Sequence, residues 1–225
     1  MKITYLGHAC LQIETEGKYI VVDPFISGND MASHIDLSKI KADYILITHA
    51  HEDHILDVVT IAKITGALIV SNYEIVTYFG KKGFHGHPMN HGGSWNFDFG
   101  KLTFTNAVHS SSFPDGTYGG QPGGFVIETK TANIYIAGDT ALTMDMQLIP
   151  LQTQLDLAIL PLGDNFTMGI ESAIKCSDFV QCDRILGYHF DTFGFIKIDH
   201  HKAKKQFLEL DKELILLPIG ESITL

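Results

Sequence analysis

The segment Thr48-His49-Ala50-His51-Glu52-Asp53-His54 decides how this chain is interpreted. It ends the apolar run 44–48, which predicts a strand covered on both faces, and it leads into a helical pattern over 54–64. Three imidazoles and the Asp53 carboxylate, with Glu52 beside it, therefore stand together at a strand-to-helix turn. These are the side chains that Zn²⁺, Mn²⁺ and Fe²⁺ accept as ligands. The segment predicts a metal site.

The spacing of these side chains allows them to converge on a small region. His49 and His51 are alternate residues of an extended strand end, so their side chains point to the same side. Asp53 and His54 follow after the chain has turned toward the helix, and they can reach a second position nearby. A helix cap would account for Asp53 alone. It would not account for three histidines beside it.

Three further candidate ligands each close a predicted apolar strand: His109, Asp139 and His189. Taken singly, a histidine at a strand end is more often a hydrogen-bonded edge residue. Taken together they favour a site, because ligand-binding residues gather at the ends of sheet strands. We expect all three side chains to meet the 49–54 segment.

Strands and helices interleave along the whole chain. Runs rich in Ile, Val and Tyr predict strands, and apolar residues at helical spacing predict helices. The predicted strands are 3–6, 10–14, 19–22, 44–48, 67–70, 102–108, 125–129, 134–137, 155–160, 184–188 and 214–217. The predicted helices are 54–64, 73–79, 171–180 and 203–210. The segments 80–94 and 110–124, rich in Gly, Ser, Pro and His, are predicted loops. No linker is evident, so we expect one α/β domain over residues 1–225.

The composition excludes several classes of protein. Hydrophobic residues make up 45% of the 225 residues and charged residues 19%, which is enough for a buried core and excludes intrinsic disorder. Basic residues number 16 and acidic residues 26, giving a net charge of −10 that argues against a nucleic-acid partner. No run reaches the ~20 apolar residues of a membrane span. With no signal-peptide pattern and only three cysteines, we expect a cytoplasmic protein with no membrane association.

The metal motifs resemble, in order, those of the metallo-β-lactamase superfamily. The matching elements are the HxHxDH run at 49–54, His109, the Gly138-Asp139-Thr140 triplet and His189. Asp23 matches the first motif of that superfamily, an aspartate that supports the ligand loop. From the residues alone, Asp23 fits a turn before Pro24 as well.

Other segments resemble one branch of that superfamily, the bacterial and archaeal metal-dependent hydrolases related to the ascorbate-phosphate lactonases. The resemblance lies in Gly7-His8-Ala9-Cys10, in the segment 161–169 and in the segment 188–193. It spans the whole chain. It implies an αββα sandwich of two mixed β-sheets with flanking helices and two metal ions at one sheet edge.

The resemblance also implies how the ligands divide. His49, His51 and His109 would bind one ion, and Asp53, His54 and His189 the other. Asp139 would bridge the two. Asp53 is the expected catalytic residue, because it can orient the nucleophile or move its proton as well as bind metal. The expected cofactor is a pair of divalent ions, Zn²⁺ first, with Mn²⁺, Fe²⁺ and Ni²⁺ also suited to these ligands.

Residues around the ligands are assigned supporting roles. Asp23 and Thr48 are expected behind the ligands, holding a ligand histidine by its other ring nitrogen. His8, Asn165, Phe166 and Met168 are expected to contact substrate. Two alternatives stay open here: His8 fits a buried hydrogen-bonded histidine equally well, and Thr167 would suit a helix N-cap.

The expected function is a binuclear metal-dependent hydrolase acting on a small ester, lactone or phosphodiester. One alternative is a di-iron oxidoreductase of the same fold. That group usually has glutamate where His51 stands and carries a fused flavodoxin domain, for which this chain has no room. A second alternative, a non-catalytic metal-binding regulatory protein, is disfavoured because all seven ligand positions are filled. The expected partner is a small-molecule substrate, and whether the chain forms a homo-oligomer stays open.

Overall fold

Two β-sheets of seven strands each form the centre of the computed structural model, which describes all 225 residues. The first sheet contains β1 (Lys2–Gly7), β2 (Cys10–Thr15), β3 (Lys18–Val22), β4 (Tyr44–Leu46), β5 (Leu68–Asn72), β6 (Gly86–Met89) and the last strand, β14 (Ser222–Thr224). The second contains β7 (Ser94–Phe97), β8 (Gly100–Asn106), β9 (Gly123–Glu128), β10 (Asn133–Ile136), β11 (Leu157–Pro161), β12 (Arg184–Tyr188) and β13 (Glu213–Ile215).

Both sheets are mixed. Their strand orders are β14-β1-β2-β3-β4-β5-β6 and β13-β12-β11-β10-β9-β8-β7. In each, one half is an antiparallel meander and the other half is parallel, with β3 to β6 parallel in the first sheet and β10 to β13 in the second. Helices connect successive parallel strands within each sheet. They are α1 (Glu52–Ile55), α2 (Val58–Thr65) and α3 (Tyr73–Gly80) in the first sheet, and α4 (Ile170–Phe179) and α5 (His200–Leu208) in the second. The predicted αββα sandwich is confirmed. No helix combines the length and apolarity needed to cross a membrane.

The hydrophobic residues form three layers, as the sandwich requires. A cluster of 23 buried residues fills the space between the sheets, where Leu11 and Ile20 of the first sheet face Phe104 and Ile134 of the second. A cluster of 20 residues lies between the second sheet and α4 and α5. A cluster of 18 lies between the first sheet and α1 to α3. Alternate residues of each strand serve opposite layers, which fixes the register of the sheets.

The prediction of one continuous helix over 54–64 is wrong. The helix is interrupted at Asp57, which separates α1 from α2. The buried Asp57 carboxylate turns away and accepts hydrogen bonds from the amides of Ile26 (2.6 Å) and Ser27 (2.8 Å). It also accepts one from the Ser27 hydroxyl. The loop after Asp23 is thereby tied to the break. Helical spacing of apolar residues cannot reveal such a contact between distant segments.

The segment 80–94, predicted to be a loop, contains β6 and the first residue of β7. β6 lies at the end of the first sheet and pairs only with β5, so Pro88, which has no amide proton, is tolerated there. The segment 110–124 has a single bridge, between Ser112 and Tyr118, before β9 begins. The alternative in which Thr167 caps the following helix is wrong, since Gly169 takes the N-cap position of α4 without a side-chain cap.

Candidate metal centre

The site lies where strands of both sheets end at one edge of the sandwich. His49 and His51 follow β4, and His109, Asp139 and His189 follow β8, β10 and β12. The carboxyl ends of parallel strands meet at the same edge, so residues far apart in the chain become neighbours. The structure brings all seven expected ligands together there.

The first group of ligand atoms belongs to His49, His51 and His109. One ring nitrogen of each lies within 4.8 Å of the others. His49 Nε2 and His51 Nδ1 are 2.9 Å apart. His49 is fully buried, while His51 and His109 are half-buried at the mouth of the site. The Ser110 hydroxyl lies 3.2 Å from His51 Nε2, a neighbour that the sequence analysis did not anticipate.

The second group joins Asp53, His54 and His189, and it includes His8. Their ligand atoms also lie within 4.8 Å of one another. His54 Nε2 and His189 Nε2 are each 3.9 Å from Asp53 Oδ2. Asp53 is the one carboxylate of the site with substantial exposure, at 28% of its side chain.

Asp139 lies between the two groups. Its Oδ2 atom is 2.9 Å from His189 Nε2 and 3.4 Å from His54 Nε2, both in the second group. The same oxygen is 3.6 Å from His109 Nε2 and 3.9 Å from His49 Nε2, in the first group. A single carboxylate therefore faces imidazoles from both groups, which is the position that a shared ligand needs.

The polar atoms at the centre fit divalent metal ions. His54 Nε2, both ring nitrogens of His189 and Asp139 Oδ1 are buried without a hydrogen-bond partner. His189 Nε2 and Asp139 Oδ2 are close but not aligned for a hydrogen bond. Buried polar atoms nearly always have a partner, so a group of orphaned ones indicates an ion binding there. Imidazole and carboxylate together suit Zn²⁺, Mn²⁺, Fe²⁺ and Ni²⁺.

The electrostatics of the site agree with this fit. Burial lowers the pKa of the His49, His51 and His109 imidazoles, so they are neutral at pH 7, the form that binds metal. Burial alone would also lower the pKa of His54, but the carboxylates of Asp139 and Asp23 raise it well above its usual value. The carboxylates of Asp139 and Asp23 therefore favour a positive charge at the second group.

Asp23 and Thr48 contact the Nδ1 side of two candidate ligands, His54 and His49. Asp23 accepts hydrogen bonds from the Thr48 amide (2.8 Å) and hydroxyl (2.7 Å), and its Oδ2 is 2.9 Å from His54 Nδ1. The Thr48 hydroxyl is 2.9 Å from His49 Nδ1. Both contacts use the Nδ1 atoms and leave the Nε2 atoms of His49 and His54 directed at Asp139. Such contacts fix ring orientation and tautomer.

His8 is fully buried and links Asp53 to a loop of the second sheet. Its Nε2 is 3.0 Å from Asp53 Oδ2, and its Nδ1 is 3.0 Å from the Thr192 hydroxyl. Burial lowers the pKa of His8 to about 4. Thr192 was not among the expected site residues, although the segment 188–193 that contains it resembles the hydrolase branch.

The remaining expected substrate residues divide into two kinds. Asn165 and Phe166 are exposed on the loop before α4. Met168 is only 2% exposed and packs in the cluster between the second sheet and α4. Its amide donates to the Thr140 carbonyl (3.0 Å), which places the loop beside Asp139. The side chain of Met168 thus stabilises the loop from within and has almost no surface for a substrate.

The fold and the His/Asp cluster define a protein of the metallo-β-lactamase fold, and comparisons with known proteins agree. Residues 2–189 match the model of the beta-lactamase superfamily domain. The chain is 68% identical over 225 residues to a UPF0173 metal-dependent hydrolase of Flavobacterium johnsoniae, covering 100% of both chains. It is 46% identical over 226 residues to another from Methylacidiphilum infernorum, again covering 100% of both. The chain therefore belongs to the UPF0173 metal-dependent hydrolases of the beta-lactamase superfamily.

Solved structures support the same fold. Igni18, a metallo hydrolase from the archaeon Ignicoccus hospitalis, superposes with a TM-score of 0.91 at 33% identity, covering 100% of this chain and 97% of that one. An isothiocyanate hydrolase from Delia radicum gut bacteria has a TM-score of 0.80 at 18% identity, with coverage of 100% and 99%. At that identity the likeness concerns the fold alone.

Proposed function

We propose that this metal-dependent hydrolase uses two divalent ions, Zn²⁺ first, against a small ester, lactone or phosphodiester. The observation that carries the proposal is the position of Asp139 Oδ2, within 4 Å of imidazole nitrogens from both ligand groups. One ion would be held by His49, His51 and His109, and the other by Asp53, His54 and His189. Asp139 would be shared.

The ions would supply a bound water whose pKa falls from about 15.7 toward 7. The residues of the chain contribute position and proton movement. Asp53 is the accessible carboxylate, and its Oδ2 is held by His8, which is held in turn by Thr192. Asp53 is therefore fixed where it can orient a water and accept its proton, which is the role of a general base.

The surroundings support a small substrate. No ion pair joins a lysine or arginine to Asp23, Asp53 or Asp139, so the protein provides no basic side chain at the carboxylates. Any negative charge on the substrate or developing in the reaction would have to be met by the ions. The net charge of −10 also opposes a nucleic-acid substrate.

The test is metal analysis of the purified protein, followed by a substrate screen. We expect two ions per chain, loss of hydrolysis after chelation, and recovery with one of Zn²⁺, Mn²⁺, Fe²⁺ or Ni²⁺ added singly. The screen contains lactones, carboxylic esters and phosphodiesters. Protein that carries two ions per chain and hydrolyses none of these classes would contradict the proposal. Bound iron with a visible charge-transfer band and oxygen consumption would instead support the di-iron oxidoreductase.

A further inference from the structure

A phenylalanine side chain stands next to the ligand groups without binding metal. The ring of Phe193 is 38% exposed, and its centroid lies 5.2 Å from that of His8 and 6.2 Å from that of Phe25. His8 in turn contacts Asp53 at 3.0 Å. Phe193 is thus separated from the accessible carboxylate by one imidazole ring, and its outer face is open to solvent.

Two more exposed rings lie on loops that are tied to the same site. Phe166 is 51% exposed and Phe195 is 79% exposed, and their centroids are 6.3 Å apart in an edge-to-face arrangement. They come from different loops, and each loop is tied to the site. The Phe166 loop is held beside Asp139 through the Thr140 carbonyl, and the Phe195 loop is held to His8 through Thr192. We call Phe193, Phe166 and Phe195 the aromatic wall.

The position of these rings favours binding over chance exposure. Single exposed apolar residues are ordinary on a protein surface, but exposed rings grouped beside a polar site favour a binding role. Here Phe193 contacts His8, and Phe166 and Phe195 pair with each other on loops hydrogen-bonded next to the candidate ligands. No lysine or arginine pairs with Asp23, Asp53 or Asp139. The His/Asp cluster is therefore suited to the scissile group of a substrate, and the phenylalanine rings are suited to an apolar substituent next to it.

Resting on the proposed function, we propose that the aromatic wall binds an aryl or medium-length alkyl group adjacent to the scissile bond of the substrate. Phe193 is the specificity-determining residue, because it is the ring of the wall that contacts His8, the neighbour of Asp53. Phe166 and Phe195 cover the outer part of the same group. The hydrolase is thus selective for esters or lactones with an apolar substituent over those with a methyl group or hydrogen there.

Binding of two hydroxamates to the metal-loaded protein tests the wall without requiring turnover. Acetohydroxamate and phenylacetohydroxamate share a metal-binding head and differ in a phenyl group. We expect the wild type to bind the phenyl compound at least about 10-fold more tightly by calorimetry, because an aryl group buries apolar area against the wall. Phe193→Ala should remove most of this preference, and Phe193→Leu, which keeps an apolar side chain, should retain much of it.

Trp95→Ala is the matched control, since Trp95 is an exposed aromatic residue on β7 whose ring contacts His87 and not the ligand groups. It should leave the preference unchanged. Equal binding of the two hydroxamates by the wild type overturns the proposal, as does a preference that survives both Phe193→Ala and the double variant Phe166→Ala/Phe195→Ala. Metal content and thermal midpoint are measured for each variant, so that loss of the ions or of folding is recognised.

Hydrolysis of γ-butyrolactone and α-phenyl-γ-butyrolactone, whose phenyl group lies on the acyl side as in the hydroxamate, then separates the wall from the proposed function. We expect Phe193→Ala to raise KM for the phenyl lactone with a smaller effect on kcat. A hydroxamate preference without hydrolysis of any substrate class would contradict the proposed function and support the wall. If Phe166→Ala/Phe195→Ala changes the molar mass in solution but not the hydroxamate preference, the rings form a contact between copies of the chain. That result overturns the proposal.

Discussion

Asp139 is the residue on which the candidate centre depends most, because its Oδ2 atom alone faces imidazoles from both ligand groups. Burial opposes ionisation, but the imidazoles of His189 and His54 hold the pKa of Asp139 well below its usual value. The carboxylate is therefore charged at neutral pH and ready to bind a cation. Its removal should affect both ions.

We predict that Asp139→Ala and His51→Ala each lose bound metal and lower hydrolase activity at least about 100-fold. Elemental analysis and turnover of a substrate from the screen measure the two effects. Asp145→Ala is the control, since Asp145 is an exposed aspartate outside both ligand groups, hydrogen-bonded to Asn106. Full metal content with full turnover in both site variants would exclude the centre described above.

Asp23 contacts two residues of the candidate centre, Thr48 and His54. We predict that Asp23→Asn weakens metal binding about 10- to 100-fold, because the amide cannot match a carboxylate that accepts from both Thr48 and His54. Competition with a chromophoric chelator measures the affinity. Thr48→Val should have a smaller effect, since Asp23 would still contact His54. An unchanged affinity in folded Asp23→Asn would show that this contact does not support the centre.

The side chains that meet at this centre could be predicted from the sequence. The residues that contact them, such as Thr192 and Ser110, could not. The ligands could be recognised because their residue types and their places at strand ends are visible locally. The contacts of His8 with Thr192 and of His51 with Ser110 depend on loop paths that have no periodic pattern. The burial of Met168 had the same cause: its loop folds back onto Thr140, so an expected pocket residue lies in the core.

Among the elements, the break between α1 and α2 shows most clearly how a buried side chain shapes local structure. The Asp57 carboxylate accepts two backbone amides and one hydroxyl from the loop after β3. That loop directly follows Asp23, which contacts His54. The hydrogen bonds of Asp57 therefore also help to position Asp23. Replacing Asp57 should loosen both the loop and Asp23.

We predict that Asp57→Ala lowers the free energy of unfolding by at least about 2 kcal/mol, because each buried donor left without an acceptor costs about 1–3 kcal/mol. Ser27→Ala removes only the hydroxyl contact and should cost about 1 kcal/mol. Urea unfolding followed by circular dichroism compares the two variants with the wild type. Equal, small losses in both would mean that water replaces Asp57 at the Ile26 and Ser27 amides.

Element boundaries were predictable where a strand or helix follows its own residue pattern, and not where a neighbour decides. The parallel strands β4, β5, β11 and β12 are apolar runs and were found from the sequence. β6 was not, because Gly86 and Pro88 are poor strand formers, and only its place at the end of the sheet makes them acceptable. β14 was missed for a related reason: three residues suffice when β1 offers a pairing edge.

At the scale of the whole molecule, both ligand groups combine residues of the two sheets. His49 and His51 follow β4 of the first sheet, and Asp53 and His54 lie in α1, which packs against that sheet. His109, Asp139 and His189 follow strands of the second sheet. Strand and helix alternation predicted only an α/β fold. The sandwich of two sheets was implied by the resemblance to the metallo-β-lactamase superfamily, since no local pattern states which strands share a sheet.

We predict that chelation of the ions lowers the thermal midpoint by about 8–16 °C. Metal present at 1,000 times its dissociation constant stabilises the folded state by about 4 kcal/mol, and each kcal/mol shifts the midpoint by about 2–4 °C in a chain of this size. Scanning calorimetry with and without chelator measures the shift. Asp139→Ala serves as the reference, because it should melt at the same temperature under both conditions. A wild-type midpoint indifferent to chelator would mean that the ions add nothing to stability.

The division of ligands between the sheets has a consequence for protein synthesis. A nascent chain that has left the ribosome as far as residue 100 carries His49, His51, Asp53 and His54 but lacks His109, Asp139 and His189. Neither candidate group is complete at that stage. We therefore expect stable binding, and the choice among divalent ions, to follow synthesis of the second sheet and to depend on the ions that the compartment then supplies.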